Sequence, residues 1–495
     1  MLLNSYIFIF VFLPLLGVIY FTCNKIHITA GKIVLILGSL IFYAYADWHM
    51  LFFLLASVSL NYLSAYLMRH EKWKKVFLAV PVVINVGLLL FFKYTNFMIE
   101  NFNAIFKTNF ALLKLLIPMG ISFITFQQIA YLVTVYRGDS LKSEWGGVIK
   151  KTGKPDLIDY LVYILYFPKL LMGPLAEPAE FMMQINDPAA KKVNGDHIAQ
   201  GLKLFSFGLF KKVLLADTFA LAFAWGCENI DTMTSMDGFL VMLSYTFEIY
   251  FDFSGYSDMA VGVSRMLNIA LPMNFDSPYK ACSIRDFWKR WHISLTGFFT
   301  KYLYIPLGGS RKGKAFTYLN VMIVFLVSGI WHGAGWAFIL WGGIHGLLSV
   351  LDRIFEKAEN KIVRPVRQAV TFGSVNILWL LFGLNSLKDW FSMLKSMFLF
   401  QSMRLSAGLK DIFVISEAGV IDDALSYVFH LNLYDKSWVW VAVFVGMACG
   451  ICLLAGNNGR NMTKMSKGNM ILASIAFVWG ILCLSTNTTF IYQGF

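Results

Sequence analysis

Phe325-Leu326-Val327-Ser328-Gly329-Ile330-Trp331-His332-Gly333-Ala334-Gly335-Trp336 runs out of a strongly apolar segment into a histidine framed by glycines. The apolar residues read as the end of a bilayer-crossing helix, for which about 20 predominantly apolar residues suffice. An ionisable side chain at that depth is costly unless a wet cavity or a partner receives it, so function is its default hypothesis. Imidazole is the side chain whose ordinary pKa lies closest to neutrality, and it moves protons at cellular pH. A lone buried histidine also serves structurally, and the glycines leave room for a substrate or for a neighbouring backbone. Both readings stand for His332. Trp331 and Trp336 are placed to wall such a site, and His345, in Trp341-Gly-Gly-Ile-His345, is a second candidate or a structural partner.

The rest of the chain shares the apolar character. It is 58% hydrophobic and 14% charged, where soluble domains carry about 25% charged residues. Apolar windows predict spans near residues 2–21, 30–47, 49–68, 76–97, 112–135, 212–226, 238–268, 317–340, 341–351, 368–386, 436–455 and 469–488. The expectation is an all-α polytopic membrane protein of roughly 11–13 transmembrane helices. It forms a single membrane domain over 1–495, and the first apolar segment reads as a retained helix, having no basic region before it and no cleavage site after it. A shorter apolar stretch at 157–175 contains Phe167-Pro168-Lys169 and Met172-Gly173-Pro174, which interrupt helix. It is expected to be re-entrant or interfacial and buried by protein.

The net charge of +13 does not gather on one surface. Basic residues in short loops report orientation instead. Arg69–Lys75, Arg137–Lys154, Lys280–Lys314, Arg353–Arg367 and Arg460–Lys467 read as cytoplasmic, and Glu228–Asp237 and Asp411–Asp435 as the opposite face. No nucleic-acid partner is expected; membrane lipid is. Cys449 and Cys452 have redox or metal spacing but sit in an apolar span with no second pair, so packing is the expected role and no metal is assigned.

The informative polar block runs from Tyr245 to Leu351. Glu248 and Asp252, then Ser254 and Asp258, fall four residues apart inside a hydrophobic segment, the spacing of one helix face. They face a hydrated interior or pair with nearby cations. Arg285, Trp288 and His292 follow at i, i+3 and i+7 in Arg285-Asp-Phe-Trp-Lys-Arg-Trp-His292. The cations Arg285, Lys289 and Arg290 are expected to depress the His292 pKa and keep it neutral. The same run also reads as an amphipathic interfacial helix. Gly308-Gly-Ser-Arg311-Lys312-Gly-Lys314 either exposes amides and cations for a phosphate or is a turn carrying cytoplasmic charge.

These residues together resemble the membrane-bound O-acyltransferase superfamily, in its branch of alginate and peptidoglycan O-acetylation membrane subunits. The matching text is Tyr250-Phe-Asp-Phe-Ser-Gly-Tyr-Ser-Asp-Met-Ala260, Phe287-Trp-Lys-Arg-Trp-His-Ile-Ser-Leu295, Tyr302-Leu-Tyr-Ile-Pro-Leu-Gly-Gly309 and Trp331-His-Gly-Ala-Gly-Trp336. Weaker similarity reaches upstream through Ile117–Phe123 and Phe167–Pro174, so the resemblance covers most of 80–350, the expected catalytic core. The D-alanyl transfer proteins of teichoic acid modification share the Arg-Trp-His and Trp-His-Gly pieces. The resemblance implies helices around a thin central partition, with a donor tunnel opening inward and an acceptor funnel opening outward. It puts His332 at the principal catalytic histidine and His292 at the second. Lys289, Arg290, Tyr304, Arg311 and Lys312 are expected to bind the donor. The expected reaction moves acetyl from acetyl-CoA, with no resident cofactor, to an extracytoplasmic partner transferase and thence to a polysaccharide, at the bacterial inner membrane. D-alanyl or other acyl transfer, a transporter with a histidine proton relay, and an idle scaffold are the alternatives. The tail Phe490-Ile-Tyr-Gln-Gly-Phe495 resembles the family ending but departs from it at Gln493 and Gly494.

Overall fold

The computed structural model describes residues 1–138, 155–359, 362–400, 402–415, 437–484 and 490. The rest of the basic loop 139–154, most of the acidic segment to Asp435 and the tail after Phe490 lie outside the described residues. Helices dominate. After a π-turn at Phe8–Phe12 come α1 (Leu13–Ile26), α2 (Ile28–Ala46), α3 (Trp48–Leu67) and α4 (Lys74–Phe106). Among the described residues, seven helices are long and apolar enough to cross a membrane: these four, Lys314–His332, Trp336–Ile354 and Ser437–Leu454. Their outer faces are apolar, with Val18, Val83 and Ile105 about two-thirds exposed or more. That pattern suits lipid, because soluble proteins seldom expose contiguous apolar patches of this extent.

The next elements are buried by these. Helix α5 (Ile121–Arg137) begins nine residues later than the apolar window at 112 predicts, the residues before it being irregular. Helices α6 (Leu157–Leu165) and α7 (Phe167–Leu170) break at Tyr166, where Pro168 follows. The segment from Tyr160 to Pro174 is buried almost throughout, save Leu161. The interrupted stretch is therefore broken and enclosed by protein. Lys169 lies buried inside it, over the Tyr163 ring at 4.0 Å and donating to Gln127. Helix α8 (Pro178–Asn186) completes this layer.

Helix α9 (Gly195–Phe210) continues through a π-turn at Lys211–Ala216 into α10 (Asp217–Glu228). The window at 212–226 misplaces its start, because Lys203, Lys211 and Lys212 dilute the apolar signal although all three are buried. Helix α11 (Ser235–Met266) packs along it, the backbones meeting at two levels: a Cβ at Gly201 would fall 2.4 Å from the Gly262 carbonyl, and one at Gly208 2.6 Å from that of Gly255. Small residues at such crossings let membrane helices approach closely. The approach sets Lys211 2.7 Å from Asp258 and Lys212 2.7 Å from Asp252 and 2.9 Å from Asp217. Asp252 and Asp258 are thus structural ion pairs, the second of the two readings offered by their spacing. Charges this deep persist only when paired.

The chain then forms α12 (Ile284–Arg290) and α13 (Ile293–Phe299), and turns through the Gly308–Gly313 loop into α14 (Lys314–His332) and α15 (Trp336–Ile354). The predicted boundary near 340 is corrected to Gly333–Gly335. There Gly329 and Gly342 bring the two helices into backbone contact, each Cβ position lying 2.4 Å from a carbonyl of the other helix. Helices at Arg364–Leu384, Leu387–Phe398 and Lys467–Leu482 close the fold.

Candidate active site

His292 is not on the helix its spacing suggests. Ser283 caps α12 through the Asp286 N–H, and the helix stops at Arg290. Trp291 is extended and His292 takes φ 45°, a left-handed conformation that costs a non-glycine residue about 1–2 kcal/mol. A neighbouring loop holds the break. Ile293 N–H donates to the Asn274 carbonyl at 2.9 Å, Ser294 Oγ to Asn274 Oδ1 at 2.5 Å, and Asp276 N–H to the Arg290 carbonyl at 2.9 Å. The break turns the imidazole inward, against the edge of Phe253 at 4.7 Å between ring centres and alongside Phe123 at 6.2 Å. His292 is 1% exposed, and neither ring nitrogen has a hydrogen-bond partner among the described residues. Buried polar groups are nearly always satisfied, so one that is not needs an explanation. Burial, rather than the neighbouring cations, pushes this imidazole down to about 3.

His332 is the last residue of α14, and its ring packs against the edges of Trp341 and Phe382 at 5.2 Å each. The final carbonyls of a helix lack intrahelical donors. Here α4 supplies them: Lys93 Nζ donates to the Trp331 carbonyl at 2.9 Å, and Tyr94 Oη to those of Gly333 at 2.9 Å and Ile330. The glycines beside His332 make room for protein rather than for substrate. A Cβ at Gly333 would fall 2.2 Å from the Phe338 ring. Trp336 is 59% exposed and donates to Asn101, so it walls nothing around His332, and Trp331 stacks on Phe126. His345 accepts from Trp288 Nε1 at 3.3 Å and lies outside the cavity described next.

One cavity of about 380 Å³ is lined by both His292 and His332. Its walls are largely aromatic, from Trp288, Trp291, Phe299 and Phe325. Ser328, Thr296 and Ser349 add hydroxyls, and Arg285, Lys289 and Arg353 add positive charge. Of the expected donor-binding residues, Lys289 and Tyr304 line it; Arg290, Arg311 and Lys312 do not. Arg290 is turned to Asp286 at 2.8 Å and to the Asp276 carbonyl. Arg311 and Lys312 are exposed on the Gly308–Gly313 loop, which is tied to the cavity wall where Gly309 N–H donates to the Tyr304 carbonyl at 2.9 Å. Arg285 and Arg353 were not among the expected donor ligands. Arg285 belongs to the same basic run, but only the folding of α15 beside α12 brings Arg353 to it.

Residues 102–385 match the family described as MBOAT, membrane-bound O-acyltransferase family. The chain is 38% identical over 419 residues to the peptidoglycan O-acetyltransferase of Helicobacter pylori, covering 80% of each protein. It is 36% identical to a probable alginate O-acetylase of Pseudomonas aeruginosa, over 82% of this chain and 76% of that one. Similarity to the teichoic acid D-alanyltransferase of Bacillus subtilis is lower, 27% over 49% of the chain and 60% of the relative. The chain belongs to the membrane-bound O-acyltransferase family. It is therefore an O-acyltransferase and a multi-pass membrane protein. Both histidines line one largely apolar cavity, which is the candidate site for this chemistry.

Proposed function

We propose that this O-acyltransferase takes acetyl from cytoplasmic acetyl-CoA and passes it across the bacterial inner membrane for O-acetylation of a cell-envelope or secreted polysaccharide. A separate extracytoplasmic transferase receives the acetyl group and completes the modification. The observation that carries this reading is the cavity itself. Arg285, Lys289 and Arg353 line it, Arg285 also reaching Glu356 at 3.4 Å, and the same apolar space contains His292 and His332. A phosphate-bearing thioester has matching parts, since cations hold phosphate oxygens strongly and an aromatic passage admits the arm. Tyr304 and the attached Gly308–Gly313 loop extend the polar side, with Arg311 and Lys312 available to outer phosphates. The relatives similar over about four-fifths of the chain include proteins named for O-acetylation of peptidoglycan and of alginate, whereas the D-alanyltransferase matches only half of it, which favours acetyl over D-alanyl as the group moved.

A thioester is already activated, so the protein must chiefly position it and deprotonate the attacking hydroxyl. His332 is assigned as that base. The acceptor oxygen forms its bond to the thioester carbonyl carbon while its proton moves to the imidazole. The carbon–sulfur bond then breaks, and the departing thiolate takes a proton. In a two-step form the imidazole nitrogen attacks first, giving acetyl-histidine and free thiol before the acceptor arrives. His292, kept neutral by burial, serves as a hydrogen-bond donor that orients the thioester carbonyl.

Inverted membrane vesicles containing the protein and its host's acetylation system test the direction of transfer. Radiolabelled acetyl-CoA added outside such vesicles contacts the cytoplasmic face, and label is expected on lumenal polysaccharide. Label that stays outside, or transfer supported equally by right-side-out vesicles, would overturn the assigned direction.

A further inference from the structure

A second cavity, of about 460 Å³, is lined by Tyr250, Ser254 and Asp258 of α11 and takes no part in the chemistry above. One wall is the apolar helix Lys467–Leu482, whose Leu472 and Ile475 line the cavity and are themselves 58% and 54% exposed. The space therefore communicates with the lipid-facing surface. Its inner end is polar and built from buried groups. Lys211 and Asp258 pair at 2.7 Å, and Asn458 Nδ2 donates to the same Asp258 at 3.2 Å. Ser254, 1% exposed, also lines the cavity beside Tyr250, and its hydroxyl meets no partner in full hydrogen-bond geometry among the described residues.

The charge balance at this end narrows the occupant. The lining cation Lys211 is neutralised by Asp258. The bordering cations are engaged as well: Lys280 donates to the Ala455 carbonyl at 2.6 Å, and Arg460 pairs with Asp276. A phosphate would find no uncommitted cation among these and would face the Asp258 carboxylate. A neutral head that both donates and accepts hydrogen bonds would satisfy Ser254 and the open valences of Asp258 without displacing a pair.

We propose that this cavity binds a membrane lipid with an uncharged, hydroxyl-bearing head of the diacylglycerol kind, its head at Ser254 and Asp258 and its chain along Trp479 and Ile475. The lipid enters from the bilayer between the segment at 451–458 and the helix Lys467–Leu482. Phe275 and Ser277, from the loop that holds the His292 break, form part of the wall, so the two sites share a structural element.

The test uses the full-length protein in phosphatidylcholine vesicles carrying a diazirine-bearing diacylglycerol, with a diazirine phosphatidic acid of the same chains in a parallel arm. Photolabel from the diacylglycerol is expected on peptides spanning 451–458 and 472–479, suppressed by excess unlabelled dioleoylglycerol. Ser254→Val is expected to weaken this labelling about tenfold, the scale of one lost buried hydrogen bond. Phosphatidic acid should label these peptides no better than it labels Ser254→Val. If Ser254→Val does not fold, Ala476→Phe fills the same space from the opposite wall and should abolish suppressible labelling. Label that dioleoylglycerol does not suppress means bulk lipid contact only and overturns the site. Equal, suppressible labelling by phosphatidic acid overturns the assignment of a neutral head.

Discussion

His292 combines three features that seldom meet in one residue: a left-handed backbone, full burial and two ring nitrogens without partners among the described residues. Strained backbone persists where surrounding structure over-determines it, and such positions cluster at functional sites. Here the Asn274–Asp276 loop supplies the restraint. The imidazole also makes a pH prediction. Its pKa falls from 6.5 to about 3 on folding, so between those values the unfolded chain binds a proton that the folded one refuses. Stability should therefore be unaffected by this group above pH 6.5 and decline as pH falls from 6.5 towards 3. In His292→Gln that contribution disappears, and thermal unfolding in detergent should show a shallower acid slope between pH 6.5 and 4.5. An unchanged slope would mean that His292 is hydrated or paired in the native protein. The sequence made this histidine conspicuous for a partly mistaken reason. Helical spacing put Arg285, Trp288 and His292 on one face, whereas a broken helix delivers all three to one cavity. Cations were expected to depress its pKa, and burial does so instead.

At the scale of elements, hydropathy carried α14 on to residue 340, whereas Gly333 and Gly335, which follow the apolar run ending at His332, mark where it stops. The start of α9 was not legible. Lys203, Lys211 and Lys212 make that segment look like a loop, and only the facing carboxylates and backbone carbonyls on other segments explain how it stays helical and buried. The same limit hid the contribution of α4. Nothing local marks Lys93 and Tyr94 as partners of a helix end more than 230 residues away. Their bonds to the Ile330, Trp331 and Gly333 carbonyls fix the turn that carries His332, which makes them positioning residues. Lys93→Met or Tyr94→Phe should lower kcat for acyl transfer roughly tenfold, the effect of one buried hydrogen bond. KM for the donor should change little, and Lys93→Arg should recover much of the loss. A rise in KM with kcat unchanged, or a Lys93→Arg variant as slow as Lys93→Met, would place these residues in donor binding or in folding alone.

Over the whole molecule, composition and hydropathy were enough for an all-α polytopic protein. The described residues contain seven helices that meet a strict length and apolarity requirement, fewer than the eleven to thirteen windows predicted. The windows at 212–226 and 238–268 make up part of the difference, because α10 is short and α11, though long, carries buried charged and polar side chains. A hydropathy profile reads one segment at a time and cannot see a charge cancelled by another helix. Nor could it join His292 to His332, forty residues apart, in one cavity, although the order of the motifs marked both. Phe490 gives a further long-range contact: it is buried beneath the Lys212 ammonium at 4.4 Å and against Tyr256, so the start of the C-terminal tail is anchored on the charged layer between α9 and α11. In the proposed reaction, acyl transfer runs through the histidine cavity with His332 as its base. Purified protein reconstituted with radiolabelled acetyl-CoA and an acceptor, wild type beside His332→Ala, tests it most directly. Label is expected on the acceptor for wild type, with a loss of at least about a hundredfold for His332→Ala, the lower range of a general-base contribution. Equal transfer by the two proteins would contradict it.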